Sequence, residues 1–134
     1  MNARAIGRPN PTSQARLQLL LILLAAWDLA AFLLELANRS LLDIGGVDGI
    51  LGARAYSGTT AVLAIAYMYA ARNPIRHRFV LWLASIEQLV ALFSYAWHRA
   101  IGDLNTSEVL LPVAVSAIFF LLLVRYLPRQ TDSV

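Results

Sequence analysis

The stretch LQLLLILLAAWDLAAFLLELAN, Leu17 to Asn38, decides the fold. Its only charges are Asp28 and Glu35. At about 1.5 Å per residue, a helix of this length reaches roughly 30 Å, the thickness of a bilayer's hydrocarbon. The run is longer than the apolar core of an ordinary signal peptide, and no Ala-x-Ala cleavage site follows it. It therefore reads as a retained transmembrane helix.

Three further apolar runs follow, Ala55 to Ala71, Phe79 to Trp97 and Val109 to Leu127. The expectation is an all-α fold, a four-helix transmembrane bundle with spans at about 17–38, 55–71, 79–97 and 109–127. Residues 1–16 form a polar cytoplasmic tail, 17–127 the membrane domain, and 128–134 a short cytoplasmic tail. Between the first two runs, Asp43 to Gly52 holds four glycines and reads as a turn-rich external loop. Its two aspartates do not have the spacing of a calcium-binding EF-hand. Arg72 to Arg78 is a basic turn in which Pro74 stops the preceding helix. Pro112 is expected in the first turn of the fourth helix, where proline is tolerated.

Composition supports the membrane assignment. Of 134 residues, 59% are hydrophobic and 14% charged, with a mean hydropathy of +0.62. Soluble domains carry about a quarter charged residues. The chain has no cysteine, which excludes disulfides, thiolate catalysis and cysteine metal sites. All eleven basic residues are arginine, and the pI is about 9.8. The arginines sit at the ends of apolar runs rather than on one soluble face, so nucleic acid is not the expected partner. The expected partner is the lipid bilayer, with a membrane protein or a second copy of the chain as a further one.

Orientation follows from the same arginines. Arg4, Arg8 and Arg16, the turn residues Arg72, Arg76 and Arg78, and Arg125 and Arg129 fall on one side; Arg39, Arg54 and Arg99 fall on the other. Positive residues stay in the cytoplasm, so both termini are expected inside, with the chain in the inner (plasma) membrane as a multi-pass protein. Arg72, Arg76, Arg78, Arg125 and Arg129 are the expected cytoplasmic anchors.

The residues that draw attention are polar ones inside the spans, where a charge costs about 2.5 to 3.5 kcal/mol on insertion scales. On the first helix Asp28, Glu35 and Arg39 share one face, with Glu35 and Arg39 paired at four-residue spacing. On the third, Glu87, Ser94 and His98 share a face. If these stripes meet, two carboxylates lie near the midplane, where they cannot both keep their charge. Such a pair is either a proton-handling site or structural glue, with Ser57, Thr59, Thr60, Gln88 or Tyr67 as hydrogen-bond partners. On the second helix Ser57, Gly58, Ala61, Ala66 and Ala70 have the small-residue spacing of close helix packing. His77 and His98 stand roughly 31 Å apart on one helix and cannot share a ligand. There is no catalytic triad, phosphate loop or metal motif, so no catalytic residue, metal or cofactor is expected.

The segment Tyr69-Ala-Ala-Arg-Asn-Pro-Ile-Arg-His-Arg78, followed by Trp82-Leu-Ala-Ser-Ile-Glu87, resembles the middle of small four-helix bacterial membrane proteins grouped as DoxX-like. The resemblance extends over residues 55 to 127. It implies a four-helix bundle and no established reaction.

The leading expectation is a non-enzymatic bundle, an accessory or structural subunit of a membrane complex. The alternative is a small transporter or membrane enzyme with a buried carboxylate site at Asp28 and Glu87.

Overall fold

A computed structural model describes residues 11–37, 47–102 and 104–127; for residues 11, 35, 47–56 and 108 the description is of the backbone alone. It contains four helices, α1 Pro11–Ala37, α2 Val47–Ala71, α3 Arg78–Ala100 and α4 Thr106–Tyr126, and the fold is all-α. Three segments are long and apolar enough to cross a membrane: Thr12–Leu34, Arg78–Ala100 and Val109–Tyr126. The apolar part of α2 among the described residues, Ser57–Ala71, is shorter. The whole of α2, at 25 residues, extends about 37 Å.

Several helix boundaries differ from the sequence reading; α3, for one, runs on to Ala100 rather than ending at Trp97. α1 begins at Pro11, inside the stretch assigned to the polar tail. Proline's fixed φ suits the first helical position, where its missing N–H would have no partner anyway. α2 begins at Val47, so half of the expected glycine-rich loop is helical. Helical Gly49 and Gly52 cost about 1 kcal/mol each relative to alanine. The helix offsets this by pairing backbone groups that an apolar medium would leave unpaired. α4 begins at Thr106 rather than Val109, because Val109 N–H donates to the Asn105 carbonyl at 3.3 Å. Pro112 therefore lies in the second turn, not the first, and the helix continues through it.

The α2–α3 turn is held by the backbone. Asn73 N–H donates to the Ala70 carbonyl at 3.0 Å, and His77 N–H to the Asn73 carbonyl at 3.2 Å. The Asn73 side chain accepts from Arg76 N–H at 3.2 Å, and Pro74 is fully buried. After α3, Gly102 takes φ +89°, the left-handed conformation that glycine adopts without a Cβ clash, and this turns the chain toward α4.

α1 packs chiefly on α2, and α3 on α4. The two hairpins meet through α1 with α4 and, most thinly, through α2 with α3. α1 and α3 therefore stand diagonally across the bundle. The core joins Leu17, Leu20, Leu21, Leu24 and Ala25 of α1 to Ala64, Tyr67, Ala70 and Ala71 of α2, Leu81 and Ala84 of α3, and Leu123 of α4. These come from the start of α1, the end of α2, the start of α3 and the end of α4. The tight packing is thus concentrated at the end that carries the basic turn. There the Arg16 guanidinium lies 5.9 Å from the Tyr126 ring, so α1 begins where α4 ends.

α4 is the most outward-facing helix. Only Val109, Ser116 and Leu123, seven residues apart, are buried among its described side chains. A leucine at the centre of the core should be far less replaceable than one outside it. Leu21→Ala should cost on the order of 2 kcal/mol through the cavity it leaves. Leu33→Ala, at an exposed site, should change stability by less than about 0.5 kcal/mol. Unfolding of the two variants in detergent, followed by circular dichroism, measures the contrast.

Candidate functional site

On α1 the buried positions Leu17, Leu21, Leu24 and Asp28 recur at spacings of four, three and four. This is a single seam on a helix of 3.6 residues per turn. Asp28 is thus a carboxylate at a position that the pattern otherwise fills with leucine, and it is 4% exposed. Glu35 continues the same face by spacing, but its side chain lies outside the described residues, as does Arg39. The expected Glu35–Arg39 pair falls with them.

On α2, Tyr67 is fully buried, and its hydroxyl donates to Glu87 Oε2 on α3. The helix geometry explains how they meet. Side chains lean toward the N-terminus of their own helix. Those of α2 therefore lean away from the basic turn and those of α3 toward it. Tyr67, five residues before Arg72, and Glu87, nine residues after Arg78, converge from opposite directions. Gln88 joins them: its Nε2 donates to the same Glu87 Oε2 at 3.3 Å.

Asp28 and Glu87 lie close enough across the diagonal to feel each other's charge, and Asp28 also acts on Tyr67. The cluster is therefore Asp28, Tyr67, Glu87 and Gln88, from three helices and both hairpins. Its hydrogen bonding is uneven. Glu87 Oε2 accepts twice, whereas Asp28 Oδ2 and Gln88 Oε1 are buried and have no hydrogen-bond partner. Nearby hydroxyls are used elsewhere. Thr60 donates to the Ser57 carbonyl at 2.8 Å, and Ser85 to the Leu81 carbonyl at 2.9 Å, each along its own helix.

The α3 stripe of Glu87, Ser94 and His98 lies beside the buried face of that helix rather than on it. The buried face of α3 is Leu81, Ala84, Ser85, Gln88 and Ala91. At 100° per residue, this is about 105° from the line through Glu87 and Ser94. Glu87 is half-buried at the edge of that face, Ser94 is exposed, and His98 is half-buried toward the far end of the helix. Among the packing candidates on α2, Ser57 and Ala70 are buried, while Gly58, Ala61 and Ala66 are only half-buried. A Cβ added at Gly58 would meet nothing within 4 Å, so no helix approaches closely there. The close-packed line on α2 runs instead through Ser57, Thr60, Ala64, Tyr67 and Ala71. Arg72, Arg76 and Arg125 are exposed and Arg78 half-buried, while Arg129 lies outside the described residues. His77 packs its ring against Tyr69 with centroids 4.9 Å apart.

Among the described residues no group of three histidine, cysteine or acidic side chains could hold a metal ion. What the cluster offers is two buried oxygen acceptors, Asp28 Oδ2 and Gln88 Oε1, beyond those its donors reach. The Tyr67 hydroxyl is the one link of its kind between α2 and α3 among the hydrogen bonds described. Tyr67→Phe, which removes only that donor, should destabilise the bundle by about 0.6 to 1.7 kcal/mol, the range for hydrogen bonds between membrane helices. A double-mutant cycle with Glu87→Leu, which removes the acceptor, checks it: the double variant should lose less than the sum of the two single losses if the bond is the shared interaction.

No protein-family model, curated protein or solved structure matches the chain, so its function is argued from the site alone.

Proposed function

We propose that this is a four-span protein of the bacterial inner membrane with both termini in the cytoplasm, and that it serves as an accessory or structural subunit of a membrane complex. The membrane character rests on the three long apolar helices. The fourth span would be α2, whose full length of about 37 Å is enough to cross the roughly 30 Å hydrocarbon. The orientation rests on Arg16, Arg72, Arg76, Arg78 and Arg125, which gather at one end of the bundle. The likeness to DoxX-like proteins belongs to the same reading, since it implies this architecture and no reaction.

The observation that carries the subunit role is the Tyr67–Glu87 bond between the hairpins. Together with the hydroxyls of Thr60 and Ser85 turned onto their own helices, it uses polar groups to hold helices rather than to line a path. Bulky exposed side chains on α3, Phe79, Trp82, Ile86, Val90 and Phe93, provide an apolar surface that lipid or a partner helix can cover. The second reading, a small transporter, is favoured by one observation: the buried atoms Asp28 Oδ2 and Gln88 Oε1 have no donor.

Topology is open to direct measurement, because the chain has no cysteine of its own. An impermeant maleimide should label Ser107→Cys in intact cells stripped of their outer barrier, and Ser13→Cys only after lysis. Labelling of Ser13→Cys in intact cells rules out the orientation. Function is tested by purification from gentle detergent. A subunit should bring down a stoichiometric membrane partner, and Glu87→Gln should lower the yield of that complex. A chain that purifies alone, and whose cellular role is abolished by Asp28→Asn without loss of folded protein, would favour the transporter.

A further inference from the structure

We propose that Asp28, Glu87 and Gln88 form a buried site for one small monovalent cation, a sodium ion or a proton. This goes beyond the subunit role and needs only the three-helix cluster.

The first argument is the surplus of acceptors. Asp28 Oδ2 and Gln88 Oε1 are both buried without a donor, in residues that are 4% and 3% exposed. The Tyr67 hydroxyl and one N–H of Gln88 Nε2 both go to Glu87 Oε2 rather than to Asp28. Gln88 Oε1 belongs to the same amide whose Nε2 donates to Glu87. A buried acceptor without a donor costs about 1 to 3 kcal/mol, and more when it is charged. A cation is the species that satisfies several such oxygens at once.

The second argument is charge. The groups that can titrate around Asp28 are Tyr67 from α2 and Glu87 from α3. α4 has no titratable side chain between Glu108 and Arg125, and α1 has none between Arg16 and Asp28. α2 has no basic residue from Ser57 to Ala71, and α3 has none from Phe79 to Trp97. Two acidic side chains within reach of each other's charge thus lie in a largely apolar core, with no basic side chain in those segments to balance them.

The ligands also select the ion. All are hard side-chain oxygens, which suit hard cations rather than zinc or copper. Two carboxylates and one amide are too few for a calcium site built from protein oxygens alone. Binding here would join α1 to α3 across the diagonal, where the helices do not pack directly, so occupancy should register as stability.

The test is thermal unfolding of the purified full chain in detergent, with two arms. In one, sodium chloride replaces choline chloride at constant ionic strength and fixed alkaline pH. In the other, the pH is lowered in choline chloride with sodium absent. Saturation of the wild type in one arm should raise the unfolding temperature by about 5 °C. A response in the first arm identifies sodium, and one in the second alone identifies the proton. Asp28→Asn puts an amide donor where the cation would sit. It should unfold near the temperature of the saturated wild type and respond in neither arm. If that variant does not fold, Gln88→Met decides, since it keeps the side chain's length without the carbonyl; the cation concentration needed for half the effect should rise at least about tenfold. The site is overturned if the wild type responds in neither arm, if the response survives in Asp28→Asn, or if Gln88→Met leaves the midpoint unchanged.

Discussion

The bond from Tyr67 to Glu87 is the polar contact that ties α2 to α3, the thinnest seam between the two hairpins. Within each hairpin, neighbouring helices pack along much of their length, but α2 and α3 touch little. In lipid there is no hydrophobic drive to close that seam, because the tails are as apolar as leucine. What closes it is polar. A fully buried phenol must place its hydroxyl somewhere, and a carboxyl inside a span must find a donor. One hydrogen bond meets both demands, and it can form because the two side chains lean toward each other across the turn.

The packing below the bond makes room for it. Tyr67 is the largest side chain with no exposure, and the core that holds it includes the alanines Ala25, Ala64, Ala70, Ala71 and Ala84. Small residues let the backbones approach closely enough for a ring to fill the centre. The leucine seam of α1 then covers the ring's side of the bundle and brings Asp28 to the level where the close packing ends. The same ladder of sizes explains the outer surface. On α3 the bulky Phe79, Trp82 and Phe93 point outward, while Leu81, Ala84 and Ala91 point in.

That inversion marks the limit of what the sequence discloses. The four helices are legible because an apolar run of about twenty residues has few other readings. Their beginnings at Pro11 and Val47 are not, since the residues there are polar or glycine-rich and only the continued helical ladder recruits them. Asp28 stands out as a carboxylate in an unbroken apolar run, and Glu87 likewise. The rotation of α3 is hidden, because in lipid both the inward and outward faces are apolar and periodicity lacks the contrast it has in water. For this reason Ser94 shares a face with Glu87 on paper and yet is exposed, while Gln88, one residue away, is the true companion. That Gln88 keeps an oxygen without a donor depends on three helices at once and has no trace in the sequence.

The two carboxylates differ in one respect that spacing could not reveal. Glu87 Oε2 receives both the Tyr67 hydroxyl and the Gln88 amide, and through the first of these the carboxyl ties the hairpins. Asp28 is buried more deeply, and one of its oxygens receives nothing. As glue, Asp28 is a poor choice, for glue needs a partner. A leucine at that position would continue the seam of Leu17, Leu21 and Leu24 and remove the cost of an unpaired oxygen. Stability alone therefore accounts for Glu87 and not for Asp28. A bound cation removes the same cost while leaving the carboxylate in use, and it does so by linking the two helices that the backbone packing leaves apart.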